Sequence, residues 1–305
     1  LVESKSKNTV KSYYSGFKRW SEFAEKEKFN VIPAQPIHVA LYLTSLIDSG
    51  KSPSVIQNSI YSIKWAHSTR NEPDPTGNNY VKNLVEYVKR HNSVSKNRKS
   101  IVTSQQIIEL CTKYHNSNDC LILRDLAYIV LCFNGFLRFD EASSLKCSEI
   151  TLHDTYISLY IRKSKTDQYR QGNTVVISQG NTAACPLNII NRYIHHCNIS
   201  LTSNDFFFKP MFRSKFKCRL VNRNKPISYT RARETVISRL KEVCGQEADI
   251  GLHSLRSGGV SMAAQSNVTE RCLKRHGRWK SEIAKDGYIV DSLDSRLQVT
   301  RELQL

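Results

Sequence analysis

The segment YISLYIRKSKTDQYRQGNTVVI (Tyr156–Ile177) holds two short apolar runs, YISLYI at 156–161 and TVVI at 174–177, on either side of a polar, basic turn. β-Branched and aromatic residues dominate both runs, and the first alternates with the period of two that puts successive side chains on opposite faces of a strand. The spacing predicts a β-hairpin. Elsewhere the apolar residues recur mostly at three- and four-residue steps, the signature of amphipathic helices. The expected fold class is therefore mainly α with a small β-sheet.

Upstream of the hairpin the helical pattern falls into two parts. Val10, Tyr13, Phe17, Trp20 and Phe23 form one stripe between Asn8 and about Lys28; Pro36 opens a second run through Val39, Leu43, Leu46 and Ile47 that stops at Gly50. Ser52-Pro53 starts a third run, and the turn from Pro73 to Gly77 precedes a fourth through Val81, Leu84, Val85 and Val88. Residues 1–92 read as a helical bundle, 93–100 as a polar basic linker without apolar periodicity, and 101–305 as a second, mixed domain. In that second domain further helices are expected at 104–114, 121–134, 186–197, 230–243, 254–265 and 268–275, with a short amphipathic one near the end. Two domains also suit 305 residues, because a single core stops growing at roughly 250 to 300.

The 45 Lys and Arg against 27 Asp and Glu give a net charge of +18, which points to a polyanionic partner, with nucleic acid first. Sixteen basic and eight acidic residues fall in the first 100, a net of +8, so the smaller domain has the higher charge density. From Lys209 to Lys241 there are eleven basic residues and one acid, Glu234, a composition suited to phosphate contacts. Phe206, Phe207, Phe208, Phe212 and Phe216 lie among or just before them and are read as packing groups. The nine cysteines are scattered without a C-x-x-C pair, which fits free thiols in a reducing compartment rather than disulfides or zinc. His195, His196 and Cys197 are adjacent and point in different directions on a helix, so no metal is expected there. No window resembles a membrane span or a signal peptide.

Four short segments concentrate the chemistry. GFLRFDEASSL places Glu141 three residues after Arg138, LHSLRSGG places Arg256 three after His253, HGRWKS carries Trp279, and DGYI carries Tyr288. Taken singly each has a plain structural reading, such as an intrahelical ion pair for Arg138 and Glu141 or a core aromatic for Trp279.

In this order and spacing, with a hairpin lysine between the first and second, they resemble the signature of the tyrosine recombinase (phage integrase) family. RKSKTDQYRQG, LHSLRSGG and GRWKS look most like the recombinases of eukaryotic mobile elements, the crypton and DIRS-type groups. The resemblance spans the chain and implies an N-terminal helical (SAM-like) core-binding domain that clamps DNA, followed by an α+β catalytic domain. It implies Arg138, Lys165, His253, Arg256, Trp279 and Tyr288 as catalytic residues, Lys163 remaining an alternative to Lys165 and Glu141 supporting Arg138. Two arginines can clamp the non-bridging oxygens of a phosphodiester without any metal. A tyrosine hydroxyl, ordinarily protonated with a pKa of about 10, would attack; a histidine would take or give a proton, and a lysine would protonate the leaving 5′ oxygen. The outcome would be a 3′-phosphotyrosyl intermediate that is religated without ATP or any cofactor.

The further expectations are double-stranded DNA as partner, with contacts from Lys96, Arg98, Lys99, Arg213, Lys215, Lys217, Arg219, Arg231, Arg233, Arg275 and Arg278. Leu293, Leu297 and possible partners Val299 or Leu303 stripe the tail, which in the family passes to a neighbouring protomer of a tetramer; packing on its own domain is the other reading. A eukaryotic mobile element implies the nucleus; otherwise the expectation is cytoplasm or nucleoid. A type IB topoisomerase-like enzyme and a catalytically silent DNA-binding descendant are the competing functions.

Overall fold

The structure, a computed structural model, describes residues 5–91, 98–165, 167, 169–213, 218–221 and 223–303. The chain divides into two compact units, 1–97 and 98–305.

The first unit is four helices: α1 (Lys7–Lys26), α2 (Pro36–Asp48), α3 (Pro53–Thr69) and α4 (Asn79–His91). Their starts follow the local chemistry. Ser6 caps α1 by accepting the Thr9 N–H, while Pro36 and Pro53 occupy first-turn positions where a missing N–H costs nothing. Trp20, Val39, Leu43, Ile56, Ile63, Val81 and Val88 form the core. Buried His67 accepts the Ala34 N–H at Nε2, 2.9 Å, which leaves Nδ1 to donate to the Ile63 carbonyl at 2.8 Å.

The second unit is organised around α6 (Cys120–Asn134), whose residues from Leu123 to Phe133 are all buried. Asp119 caps it by accepting the Leu121 and Ile122 amides. Around it stand α5 (Ser104–Lys113), α7 (Phe139–Ser144), α8 (Pro186–His196), α9 (Tyr229–Cys244) and α10 (Leu252–Gln265). The chain continues through α11 (Glu270–His276), α12 (Glu282–Asp286) and α13 (Leu293–Arg301). The hairpin is present as β2 (Tyr156–Ile161) and β3 (Asn173–Ser178), paired antiparallel from Tyr156 with Ser178 to Ile161 with Asn173. A short strand β1 (Ile150–Leu152) on the other side of β2 completes a three-stranded sheet. Ile157, Leu159, Ile161, Val175 and Ile177 point into the core. β4 (Met211–Arg213) and β5 (Cys218–Leu220) make a separate two-stranded ribbon.

The fold is thus mainly helical with a small sheet. Phe207 and Phe208 are core residues, whereas Phe212 is exposed and Phe216 lies outside the described residues. Among the described residues no helix is long and apolar enough to cross a membrane, and no group of residues could hold a metal ion. The described cysteines are free thiols. Helix α13 buries none of its residues, and Leu293, Leu297, Val299 and Leu303 are exposed.

Buried charge ties α6 to α9. Arg124 is inside the core with Asp125 at 2.7 Å, and Asp125 also receives Arg239 of α9 at 3.3 Å. Removing one partner of such a group strands the other in a low-dielectric interior. Asp125→Ala is expected to destabilise the second unit by roughly 3 to 5 kcal/mol, measured as a fall in the denaturant midpoint at unchanged slope.

Candidate active site

The site is built where α6 ends. The apolar run does not continue as one helix through Arg138: Phe136 takes a left-handed backbone, φ 46°, and α7 begins afresh with Arg138 as its N-cap. Arg138 and Glu141 therefore meet across a helix start instead of along a helix face. The Glu141 carboxylate accepts the Arg138 amide at 2.9 Å and its Nη1 at 2.7 Å.

Glu141 is buried and serves two more guanidiniums. Arg278 donates from Nη2 at 2.8 Å, and Arg256 Nη1 stands 4.0 Å away. Burial alone would raise the Glu141 carboxyl, but Arg278, the Arg138 amide and the charges of Arg138 and Arg256 outweigh it and hold it below its ordinary value. Three cations against one anion leave the cluster net positive, as an anion site requires.

The three arginines differ in how their donors are used. Arg278 gives Nη1 to the carbonyls of Gly135 and His276 and Nη2 to the Phe136 carbonyl and Glu141. Its guanidinium is directed inward and bolts the loop before Trp279 to the α6–α7 corner. Arg256 is fully buried and donates Nη1 to Phe136 and Nη2 to Gly277, the latter at 2.6 Å, while its Nε has no partner among the described residues. Arg138, at 13% side-chain exposure, is the one that reaches the surface.

Helix α10 delivers Arg256 and His253 by pressing close to α6. A Cβ on Gly259 would collide with the Phe133 carbonyl, so a glycine is required for that approach. The Trp279 ring lies 4.3 Å from the Arg256 guanidinium, and a side chain at Gly277 would overlap it. Like Arg256 Nε, the buried Trp279 Nε1 lacks a partner among the described residues. Two adjacent unsatisfied buried donors cost about 1 to 3 kcal/mol each unless an acceptor arrives.

Tyr288 is half-buried on a small apolar cluster of Phe136, Val260, Leu273 and Trp279. Its ring centre is 5.0 Å from the Arg256 guanidinium, 5.6 Å from the Trp279 ring and 6.2 Å from the His253 ring. The chain on either side is fastened. Before it, buried Lys285 on α12 pairs with Glu270 of α11 and with Glu282 and Asp286, and its carbonyl accepts the Tyr288 amide at 2.8 Å. After it, the Val290 N–H donates to Ser261 of α10 at 2.9 Å. Nothing in the pattern of apolar residues signalled Lys285, because a lysine among three acids reads as surface.

His253 is exposed at the mouth of the site, and burial of part of its ring, then Arg256, Arg138 and Lys165, lower its pKa. Lys165 on the hairpin is exposed and is the last of the cations that lower His253; Lys163, two residues nearer β2, is also exposed. His276, three residues before Trp279, instead hydrogen-bonds the Asn134 carbonyl at 2.7 Å and serves the scaffold.

Among the remaining basic residues, Arg98, Lys99, Arg231, Arg233 and Arg275 are exposed. Lys99 pairs with Asp249, and Arg231 lies 3.5 Å from Glu234. Arg213 and Arg219 fall on β4 and β5, and Lys96, Lys215 and Lys217 lie outside the described residues.

The fold thus gathers Arg138, His253, Arg256, Trp279 and Tyr288 into one positively charged cluster. No family model matches the chain. It is 23% identical over 296 residues, 95% of its length and 83% of the relative's, to the integrase/recombinase XerD homolog of Selenomonas ruminantium. It is 22% identical to recombinase Cre of Escherichia phage P1 over 67% of this chain and 59% of that protein. The fold matches that of the XerH site-specific recombinase in its pre-cleavage complex with difH, with TM-score 0.62, 14% identity and coverage of 97% of this chain and 79% of the other. Over most of its length the chain is thus similar in sequence and in fold to tyrosine recombinases.

With burial and three cations acting on it, the His253 imidazole is expected to titrate below 6.5 in the free protein, followed by NMR of its ring protons. Arg138→Ala, which removes one of those cations, should move the midpoint upward; an unchanged midpoint would place Arg138 too far away to act on it.

Proposed function

We propose that this protein is a site-specific DNA recombinase of the mobile-element type, an integrase and excisionase that cuts and rejoins strands through Tyr288 without metal or ATP. The observation that carries this is the seating of Tyr288 over the guanidinium of Arg256, beside two buried donors that lack partners among the described residues.

In the proposed cleavage the Tyr288 oxygen attacks the scissile phosphorus and the bond to the 5′ oxygen breaks. The tyrosine proton passes to His253, whose lowered pKa keeps it a neutral acceptor at pH 7. Arg138 and Arg256, with the Trp279 indole N–H, stabilise the charge that develops on the non-bridging oxygens. Lys165 gives its proton to the departing 5′ oxygen. The reverse attack by a 5′-hydroxyl from another strand restores the phosphodiester, so the bond energy is conserved. Exposed Arg98, Arg231, Arg233 and Arg275 supply phosphate contacts.

The mobile-element assignment is supported by the hairpin RKSKTDQYRQG and by LHSLRSGG and GRWKS, and it carries nuclear location with it. Assembly as a tetramer on two DNA sites is supported by α13, whose leucines and valine are exposed and none of whose residues is buried. A helix this short is marginal alone in water, so a neighbouring protomer is its proposed support.

Incubation of wild type and Tyr288→Phe with nicked duplexes bearing the element's own ends tests the reaction. An SDS-resistant protein–DNA adduct that forms in EDTA and is lost in the variant is the expected result. Equal DNA binding by both proteins with no adduct from either would instead identify a DNA-binding protein without strand transfer. For the tail, Leu293→Glu with Leu297→Glu is expected to abolish paired-site complexes while leaving single-site binding intact, read by native gel; intact paired complexes would show that α13 is not the link.

A further inference from the structure

Asp167 has no part in the chemistry above, yet the turn that carries Lys165 is built on it. Its N–H donates to the Ser164 carbonyl at 3.1 Å and to the Ser164 hydroxyl at 3.2 Å, so that Ser164 and Asp167 bracket Lys165. Its carboxylate then reaches across the loop. Oδ1 accepts the Gln171 amide at 3.0 Å and Oδ2 the Gly172 amide at 2.8 Å, immediately before β3 begins at Asn173. Gly172 has φ +75°, a left-handed backbone, and lies against the Tyr160 hydroxyl of β2. One side chain thus fastens the lysine's turn to the base of the opposite strand.

The amides of Gly172 and Gln171, and beyond them the Lys280 ammonium, hold the Asp167 carboxyl below its ordinary value. It is therefore ionised at neutral pH, and charged acceptors make stronger hydrogen bonds to amides than neutral ones do. Lys280 directly follows Trp279. The same carboxylate accordingly senses both the hairpin and the loop that holds the indole.

A lysine has four rotatable side-chain bonds, and one on an unfastened loop would spend little time in any single geometry. Proton transfer to a leaving oxygen needs the donor within about 3 Å of it in the transition state. We propose that Asp167 is a positioning residue for Lys165, fixing the hairpin turn so that the ammonium faces the leaving 5′ oxygen. The proposal rests on Lys165 as the general acid, and the balance of the step is that given above: P–O5′ breaks, and the Lys165 proton ends on O5′.

The test compares single-turnover cleavage of two otherwise identical duplexes, one with the natural 5′ oxygen and one with a bridging 5′ sulfur at the scissile phosphate. A thiolate is a good leaving group and needs no proton. Asp167→Ala is expected to slow the oxygen substrate by about a hundredfold, the scale of a misplaced catalytic group, with DNA binding unchanged. On the sulfur substrate it should cut at the wild-type rate. Asp167→Asn, which keeps an oxygen acceptor but loses the charge, should fall between on oxygen and match wild type on sulfur.

Slow cleavage of both substrates by Asp167→Ala would mean a general structural role, and wild-type rates on both would mean no role; either overturns the proposal. Lys165→Ala serves as the reference. If sulfur restores Lys165→Ala but not Asp167→Ala, Asp167 fails and Lys165 stands. If sulfur does not restore Lys165→Ala, or restores Lys163→Ala in its place, the general-acid assignment itself is wrong and the proposal falls with it.

Discussion

One buried carboxylate organises this site. Glu141 accepts hydrogen bonds from Arg138 and Arg278 and faces Arg256, so three guanidiniums share a single anion out of contact with water. Burying Arg256 and Arg278 without a counter-charge would cost several kcal/mol for each. With Glu141 present they can converge, and since the carboxylate neutralises only one charge, the surplus remains for a bound phosphate. The arrangement also joins three distant parts of the chain: the start of α7, the middle of α10 and the loop between α11 and α12.

The apolar scaffold makes this convergence specific. α6 is buried along its length and stops at the left-handed turn at Phe136, whose carbonyl receives both Arg256 and Arg278. The glycine at 259 lets α10 lie close enough for that reach, and the glycine at 277 leaves space for the Trp279 ring beneath Arg256. Tyr288 then rests on the aromatic floor, with Lys285 on one side and the Ser261 contact on the other. The segment that carries Tyr288 is held at both ends, yet the ring itself is only half-buried.

Much of this architecture was legible in the sequence, for physical reasons that differ from element to element. The hairpin showed through β-branched residues and alternation, α1 through its apolar stripe, and α2 and α3 through Pro36 and Pro53 at their starts. The end of α6 at Asn134 was read, with Gly135 closing it; what did not show is that α7 starts afresh with Arg138 as its N-cap, because an arginine is not a residue that signals a helix start. For the same reason Glu141 was placed beside Arg138 correctly but on the wrong kind of helix position. Arg278 read as one more surface cation in a basic protein; only the carbonyls of Gly135, Phe136 and His276 around it reveal its inward direction. The short elements β1, β4, β5 and α12 were unread, since three to five residues carry too little periodicity to register. Asp167 was invisible as anything but a loop acid, because its partners are backbone amides that no side-chain pattern records.

The most direct test is an experimental structure of the Tyr288→Phe protein on its DNA before cleavage, read at the scissile phosphate. The account predicts Arg138, Arg256 Nε and Trp279 Nε1 within about 3 Å of the non-bridging oxygens, with Arg278 still bonded to Glu141. A complex in which Arg278 has left Glu141 to hold the phosphate, while Arg256 Nε and the Trp279 indole remain without it, would contradict the division of roles set by that carboxylate.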